Sequence, residues 1–381
     1  MLLSRGKVVY NGQVAAVKEY FGNLGFNMPL YMNPAEFVIE LVNTDFSRDQ
    51  GKAAQQLETL HSAWAKSDYA TSITQDTEKA LSINGAIEKD LLEGHSTANP
   101  FLIPFTLIHR SFIKSYRDVV AYGIRIAMYM GLGIMMGTVW LRLDTDQSNI
   151  NSFANFIFFG GAFMSFMAVA YIPAFLEDRQ LFVKERLNGL YGPTAFIIAN
   201  FIIGLPYLFI ITILFSVISY WLSGFRPTAD GFWISVMWLF LDLVAAESLV
   251  VLLSSLVPIF VIALAATAFA NGLWMSVNGF MVQPSALNVF WRYVFHYIDY
   301  QAYVFRGMMV NEFGKRTYEC GRDCQCMYPS ELESQCKIDG KAVLATYGYD
   351  TENVGKYVGY MLVIILGYRL LGWLVLYLRK H

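Results

Sequence analysis

Six long apolar stretches alternate with polar segments along the later two-thirds of the chain. They cover residues 119–141, 153–176, 193–222, 232–257, 258–282 and 357–378. Each is about 20 residues or longer, enough for a helix to cross a hydrocarbon core of roughly 30 Å. Together they hold four charged residues: Arg125, Asp242, Glu247 and Arg369. Helices that are apolar on every side in such number do not suit a soluble core. The pattern predicts an all-α membrane protein with a six-span domain over 119–381 and a long loop at 283–356.

The chain ahead of the spans is patterned differently. Residues 1–12 read as a hairpin: Leu2 and Leu3, a turn at Arg5-Gly6, then Val8-Val9-Tyr10 and a second turn at Asn11-Gly12. A short helix over 14–22 follows. Asn33 is a good N-cap, Pro34 suits the first helical position, and Glu36 can reach back as in a capping box. Phe37, Val38, Leu41 and Val42 then form an apolar stripe. Residues 47–100 are polar and read as a cytosolic linker, with helices near 52–66 and 76–93. Over 101–118, Phe101, Phe105, Ile108, Phe112 and Tyr116 recur at helical spacing, while Arg110, Lys114 and Arg117 take other faces. A basic amphipathic helix beside a span lies in the membrane interface. A soluble helix packed on the linker is the alternative.

Composition agrees with a bilayer setting. Hydrophobic residues are 55% and charged residues 15%, against roughly 25% charged in ordinary soluble domains. The net charge of −2 argues against a nucleic-acid partner. No apolar run of signal-peptide length opens the chain, so the first span is expected to act as the targeting signal. Six spans put both termini on one side. If that side is cytosolic, the inner flanks and short loops carry Arg110, Lys114, Arg117, Arg179, Lys184, Arg186, Arg379 and Lys380, and the short outer loops only Arg142 and Arg226. The positive-inside bias therefore points to cytosolic termini.

Under this topology Cys320, Cys324, Cys326 and Cys336 face the oxidising side, where disulfides are favoured. Their three possible pairings stay open. A zinc site is the rival reading, but the C-x3-C-x-C-x9-C spacing fits no common finger, so no metal is expected. The segment between spans two and three brackets Leu181-Phe182 with Glu177-Asp178-Arg179 and Lys184-Glu185-Arg186, and closes on Tyr191-Gly192-Pro193. Mixed charge around an aromatic anchor suits docking on another cytosolic surface. It suits a solvated loop equally well.

These pieces, in this order, resemble the G (White) subfamily of ATP-binding-cassette half-transporters, whose membrane part is of the ABC-2 (type V exporter) kind. Val9-Tyr10-Asn11-Gly12 resembles the end of that family's cassette, and Asn33-Pro34-Ala35-Glu36-Phe37 its Asn-Pro-Ala-Asp/Glu-Phe signature. Residues 1–46 then stand as a small α/β remnant of the nucleotide-binding domain, and 101–118 as the connecting helix. The resemblance makes 177–193 the coupling region and the cysteine-bearing segment the large third extracellular loop. Tyr293-Val294-Phe295-His296-Tyr297-Ile298-Asp299-Tyr300, followed by Asn311-Glu312-Phe313, looks like fungal members.

The resemblance also implies sites. Phe166 aligns with a phenylalanine that stacks on flat substrates, Met275 with a cavity residue, and Phe280-Met281 with a plug below the outer gate. Phe163 and Asn271 flank these by helical spacing. Without the resemblance each reads as plain core. Within the spans, Asp242, Glu247 and Arg369 lie about 15, 22 and 18 Å below the outer face at about 1.5 Å per residue, so Arg369 is depth-matched to both acids. Intramembrane charges are functional candidates, and some sterol-handling members of the family carry such a network. A static pair that fixes helix packing is the alternative. Arg125, near the inner end of span one, is expected to snorkel.

One departure from the family shapes the functional expectation. There is no G-x-x-x-x-G-K-[ST] phosphate loop, no Leu-Ser-Gly-Gly signature and no Walker B aspartate, so the chain is expected to bind no cofactor and hydrolyse no ATP alone. ATP and Mg are implied for a complete transporter. The expected function is the transmembrane subunit or fragment of an ATP-driven exporter of amphipathic or lipid-like molecules. It would work in the plasma membrane as a homo- or heterodimer, with a nucleotide-binding domain supplied. The alternatives are a cassette-free transporter or channel and a non-hydrolysing partner that regulates complete half-transporters.

Overall fold

The computed structural model describes residues 1–44, 49–93, 99, 102–349, 351 and 354–379. The chain forms two compact units, Met1–Thr97 and Ala98–His381.

In the first unit, β1 (Leu2–Ser4) and β2 (Lys7–Tyr10) pair antiparallel. Arg5 and Gly6 form the two-residue turn, with φ of 46° and 76°, the left-handed geometry that matches strand twist. Four helices follow: α1 (Val17–Asn23), α2 (Pro34–Val42), α3 (Gln50–Ala65) and α4 (Asp68–Glu93). Asn33 Oδ1 accepts from the Ala35 amide at 2.9 Å and starts α2. Val9, Tyr10, Phe21 and Phe37 are buried with Leu57, Leu60 and Trp64 of α3. The polar 47–100 segment is therefore more than a spacer, because α3 lays one apolar stripe on the hairpin and closes its core.

The second unit opens with α5 (Ile103–Arg117) and α6 (Val119–Val139). Then come α7 (Ile150–Met167), a 3-10 turn at Ala168–Tyr171, α8 (Ile172–Leu187), α9 (Pro193–Leu222), α10 (Ala229–Leu256), α11 (Phe260–Val277), α12 (Tyr300–Phe313), α13 (Gly340–Tyr347) and α14 (Val354–Leu378). Among the described residues, five helical runs are long and apolar enough to cross a membrane: Gln147–Leu187, Pro193–Leu222, Ala229–Leu256, Phe260–Val277 and Val354–Leu378. The 21-residue α6 is the sixth long apolar helix.

The expected 177–193 loop is mostly helix. The helix that carries the second span continues beyond it through α8 to Leu187, and only 188–192 turn, with Gly189 at φ +73°. Mixed charge there marks a helix leaving the bilayer. The fifth span stops at Val277, short of 282. The long loop is not a loop either. It holds α12, the hairpin of β3 (Thr317–Glu319) with β4 (Lys337–Asp339), and α13.

α10 is the hub of this unit, packed against α7, α9, α12 and α14. Trp238, Val250 and Val251 of α10 are fully buried. α12 reaches α10 because position 307 is glycine. A Cβ there would meet the Trp238 ring at 2.1 Å. Asp299 Oδ1 accepts from the Gln301 amide at 2.8 Å and caps α12.

Candidate functional site: an open aromatic face, a buried polar belt and an ion-pair clamp

α7 is two-faced. Ser165 is fully buried, while its neighbours Phe163 and Phe166 are 39% and 40% exposed. Phe163 stacks on Phe159, with ring centres 6.0 Å apart. On α11, Met275 is half-buried, and Phe269 stands 70% exposed one turn and a half away. Asn271 does not share this face. It is buried, donates to the Ser165 carbonyl at 3.3 Å and accepts from the Tyr300 hydroxyl at 2.9 Å. Phe280 and Met281 follow the helix in a turn where Gly279 has φ +99°. Phe280 stacks on Phe158 at 4.5 Å and touches Phe305, whereas Met281 is exposed. The two therefore differ in setting.

The intramembrane charges are arranged otherwise than depth alone suggested. Arg125 does not snorkel. It is buried, and its Nη2 meets Glu247 Oε2 at 2.9 Å. Its guanidinium lies over the Tyr171 and Tyr207 rings, at 4.9 and 5.2 Å. Arg125 stands six residues from the start of α6 and Glu247 nine from the end of α10, so the two are at similar depth and pairing outcompetes reaching for water. Gly204 of α9 makes room, since a Cβ there would come within 2.9 Å of Glu247 Oε1.

Among the described residues no acid joins Arg369. It donates from Nε to Ser248 Oγ at 2.9 Å and from Nη1 to Asn200 Oδ1 at 2.8 Å, and Asn200 donates on to the Tyr171 hydroxyl. Asp242 forms a separate node, with both carboxylate oxygens 2.9 Å from Ser165 Oγ. Ser165 ties that node to Asn271 and Tyr300. The belt therefore depends on Ser165, Tyr171, Asn200 and Tyr300, neutral groups that sequence reading had no reason to separate from core.

At the α5 end of the bundle, α5 is clamped along α8. Arg110 meets Glu185 at 2.5 Å, and Lys114 meets Asp178 at 2.7 Å and Glu177 at 3.7 Å. Tyr191 donates a short hydrogen bond to Glu185. Burial raises the Glu185 carboxyl, but the bonds from Arg110 and Tyr191 outweigh it and hold the group below the usual range. At Asp178 burial wins over Lys114 and the carboxyl is pushed up. Burial and Glu185 push the Tyr191 hydroxyl up to about 12. Phe182 is buried against Phe196, ring centres 4.6 Å apart.

The clamp is wired to other helix ends. Arg186 donates to the Leu376 carbonyl at 2.6 Å, near the end of α14, and Arg379 donates to the Ser255 carbonyl at 3.1 Å, near the end of α10. These cations satisfy terminal carbonyls and complement the helix dipoles. On α5, Phe105 and Phe112 point outward, exposed, while Leu107 is buried. Phe101 and the Tyr116 side chain lie outside the described residues.

At the opposite end, Cys320 bonds Cys326 and Cys324 bonds Cys336, which settles the pairing left open by spacing. A polar cluster missed by sequence reading lies close by. Arg226 meets Asn311 at 3.2 Å, and Arg316 pairs with Glu312. A cavity of about 870 Å³ is lined there by Arg292, Tyr297, Tyr303, Tyr349 and Tyr357 among others.

Comparison with known proteins places this architecture. A sequence profile described as ABC-2 type transporter matches residues 105–313, and a second of the same description matches 1–99. ABC transporter G family member 11 of Arabidopsis thaliana is 31% identical over 342 residues, covering 84% of this chain and 48% of its own length. ABC transporter G family member 1 of Petunia hybrida is 29% identical over 320 residues, covering 82% and 50%. ABC transporter G family member 13 of Arabidopsis thaliana is 27% identical over 415 residues, covering 100% and 59%. The chain thus spans about half the length of the curated relatives it matches. With its run of apolar helices and the profile across more than half its residues, the chain is an integral multi-pass membrane protein that belongs to the ABC-2 type transporter family, with relatives in the G subfamily.

Proposed function

We propose that this chain is the membrane-spanning half of an ATP-driven exporter of amphipathic or lipid-like small molecules, acting as a pair of six-span halves. The observation that carries the reading is the α7 face. Phe163 and Phe166 stand open on a helix whose other side is fully packed. Two such faces opposed across a two-fold axis enclose an apolar, aromatic-lined space suited to a flat hydrophobic substrate. Phe280, stacked on Phe158, serves as the plug, and the α5–α8 clamp receives the push from a nucleotide-binding domain.

The chain's own residues do not fit ATP and Mg. The described part of Met1–Thr97 holds a two-strand hairpin and helices, with no strand, glycine loop and helix in succession to cradle phosphates. Nucleotide chemistry is therefore assigned to a cassette outside this sequence, whose closing piece residues 1–46 represent. The basic flanks support cytosolic termini. The string at 293–300 supports a fungal-type member.

The test uses a transporter in which a cassette is supplied. Phe166→Ala is expected to lower substrate-stimulated ATPase while basal ATPase and expression persist, and Met275→Ala to follow it. Phe280→Ala is expected to raise basal turnover. One shared phenotype from all three, or misfolding from each, overturns the cavity assignment.

A further inference from the structure

Arg179 of α8 is buried, 4% exposed, and its Nε and Nη2 have no hydrogen-bond partner among the described residues. Leaving such a charge uncompensated is costly. The acids of α8 cannot compensate it, because Glu177 and Asp178 are engaged by Lys114, and Glu185 by Arg110 and Tyr191. α8 therefore sorts its charges: acids toward α5, cations toward the other side.

There, Arg179 lines an open pocket of about 500 Å³ with Lys184 and Arg379. The remaining lining residues, Gln180, Val183 and Pro258, carry no charge, so the described lining holds three cations and no anion. Burial and the nearby Arg379 both lower the affinity of Arg179 for its proton, which is the signature of a missing counter-charge. The pocket sits where α10 and α14 end, as the Arg379 bond to the Ser255 carbonyl shows. Beside it the surface turns apolar and open, through Leu256, Ile259, Phe260 and Val261. Cations at the level where an exposed apolar band stops are at headgroup depth.

We propose that this pocket binds the phosphate-bearing headgroup of an anionic lipid in the inner leaflet, with Arg179 and Lys184 on the phosphate and the acyl chains along the band beginning at Leu256. The proposal rests on the cytosolic placement of this end. It does not depend on the exporter assignment, and the test involves no transport, so the two can fail separately.

The chain is reconstituted into nanodiscs of phosphatidylcholine alone or with phosphatidylinositol 4-phosphate, and the retained lipid and thermal midpoint are measured. Wild type is expected to retain the anionic lipid preferentially and to melt higher in its presence. Arg179→Gln is expected to cut that preference about tenfold or more, the loss of a charge-assisted contact. In phosphatidylcholine alone it should melt no lower than wild type, since the unpaired charge is gone. Lys184→Gln, at an exposed site, should weaken the preference without touching the fold. Equal behaviour of wild type in the two lipids overturns the proposal. So does an equal rise from inorganic phosphate in phosphatidylcholine discs, which marks a soluble-anion site. If Arg179→Gln instead dissociates a dimer with no lipid effect, a second copy supplies the counter-charge and the lipid assignment falls.

Discussion

Removing one partner of the Arg125–Glu247 pair tests the reading of the membrane interior most directly. The two side chains are 2.9 Å apart and 3% and 2% exposed. At an effective dielectric of about 20, the attraction at that distance is about 6 kcal/mol, most of it offset by lost hydration. Glu247→Gln leaves Arg125, over the Tyr171 and Tyr207 rings, without its counter-charge, and Arg125→Met leaves Glu247 without the cation it pairs with. Each single change should cost about 3–5 kcal/mol. The double variant Arg125→Met/Glu247→Gln removes both charges and should recover much of the loss, with a coupling of about 2–3 kcal/mol. Arg125→Lys keeps the charge, loses the planar stacking between the two rings, and should fall between. The assay is an equilibrium unfolding titration of the purified chain in mixed micelles. Single losses that simply add in the double variant would refute a coupled pair.

Three further outcomes follow from the geometry. The Glu185 carboxyl is held low in the fold, so its contribution is present above the ordinary glutamate range and lost as pH falls through the folded value; Asp178, held high, opposes folding at neutral pH and relents as pH falls through its raised value. Acidification should therefore first stabilise and then destabilise, with Asp178→Asn abolishing the first limb and Glu185→Gln the second, in melting curves from neutral to about pH 3.5. Gly307→Ala should cost about 1–3 kcal/mol or more by overpacking against Trp238, and Trp238→Leu should restore part of it, read as the yield of monodisperse protein. Cys320→Ser/Cys326→Ser should leave the Cys324–Cys336 bridge in peptide maps and cost about 2 kcal/mol, given the six-residue separation it opens.

Much of the fold was legible because apolar runs report helices directly. The third span, 193–222, matches α9 at both ends, where Gly192 and Pro193 mark the start. The Arg5-Gly6 turn and the Asn33 cap are equally local signals, and the structure carries both. What was not legible depends on partners. Arg125 was visible as a charge, but its pairing with Glu247 is set by how α6 and α10 lie together. Residues 177–187 of α8 were read as loop because their charges break the apolar run, although a helix continues through them once it leaves the bilayer. α12 was hidden for the opposite reason. Its buried Gln301, Asn311 and Glu312 look like surface residues in sequence, and become interior only when α10 and α14 close over them. The exposed aromatics of α7 and the neutral members of the belt share residue types with ordinary core, so only geometry separates them.

The cysteine-bearing hairpin is fastened to residues made long before it. The Glu319 amide donates to the Thr145 carbonyl at 2.8 Å, and Gln147 donates to the Gln325 carbonyl at 3.1 Å across a sequence separation of 178. α12, which precedes the hairpin, also packs against α14, which is synthesised after it. At roughly 5–20 residues per second, Gln147 waits about 10–40 s on the ribosome's clock before Gln325 exists. α14 must then insert before α12 can settle. Under the proposed topology this layer closes in the lumen of the secretory pathway, after α14 has been synthesised. Both disulfides join residues within the hairpin, so a pulse-chase experiment that follows their oxidation would time the arrival of this segment in that lumen, ahead of the closure of the layer over α14.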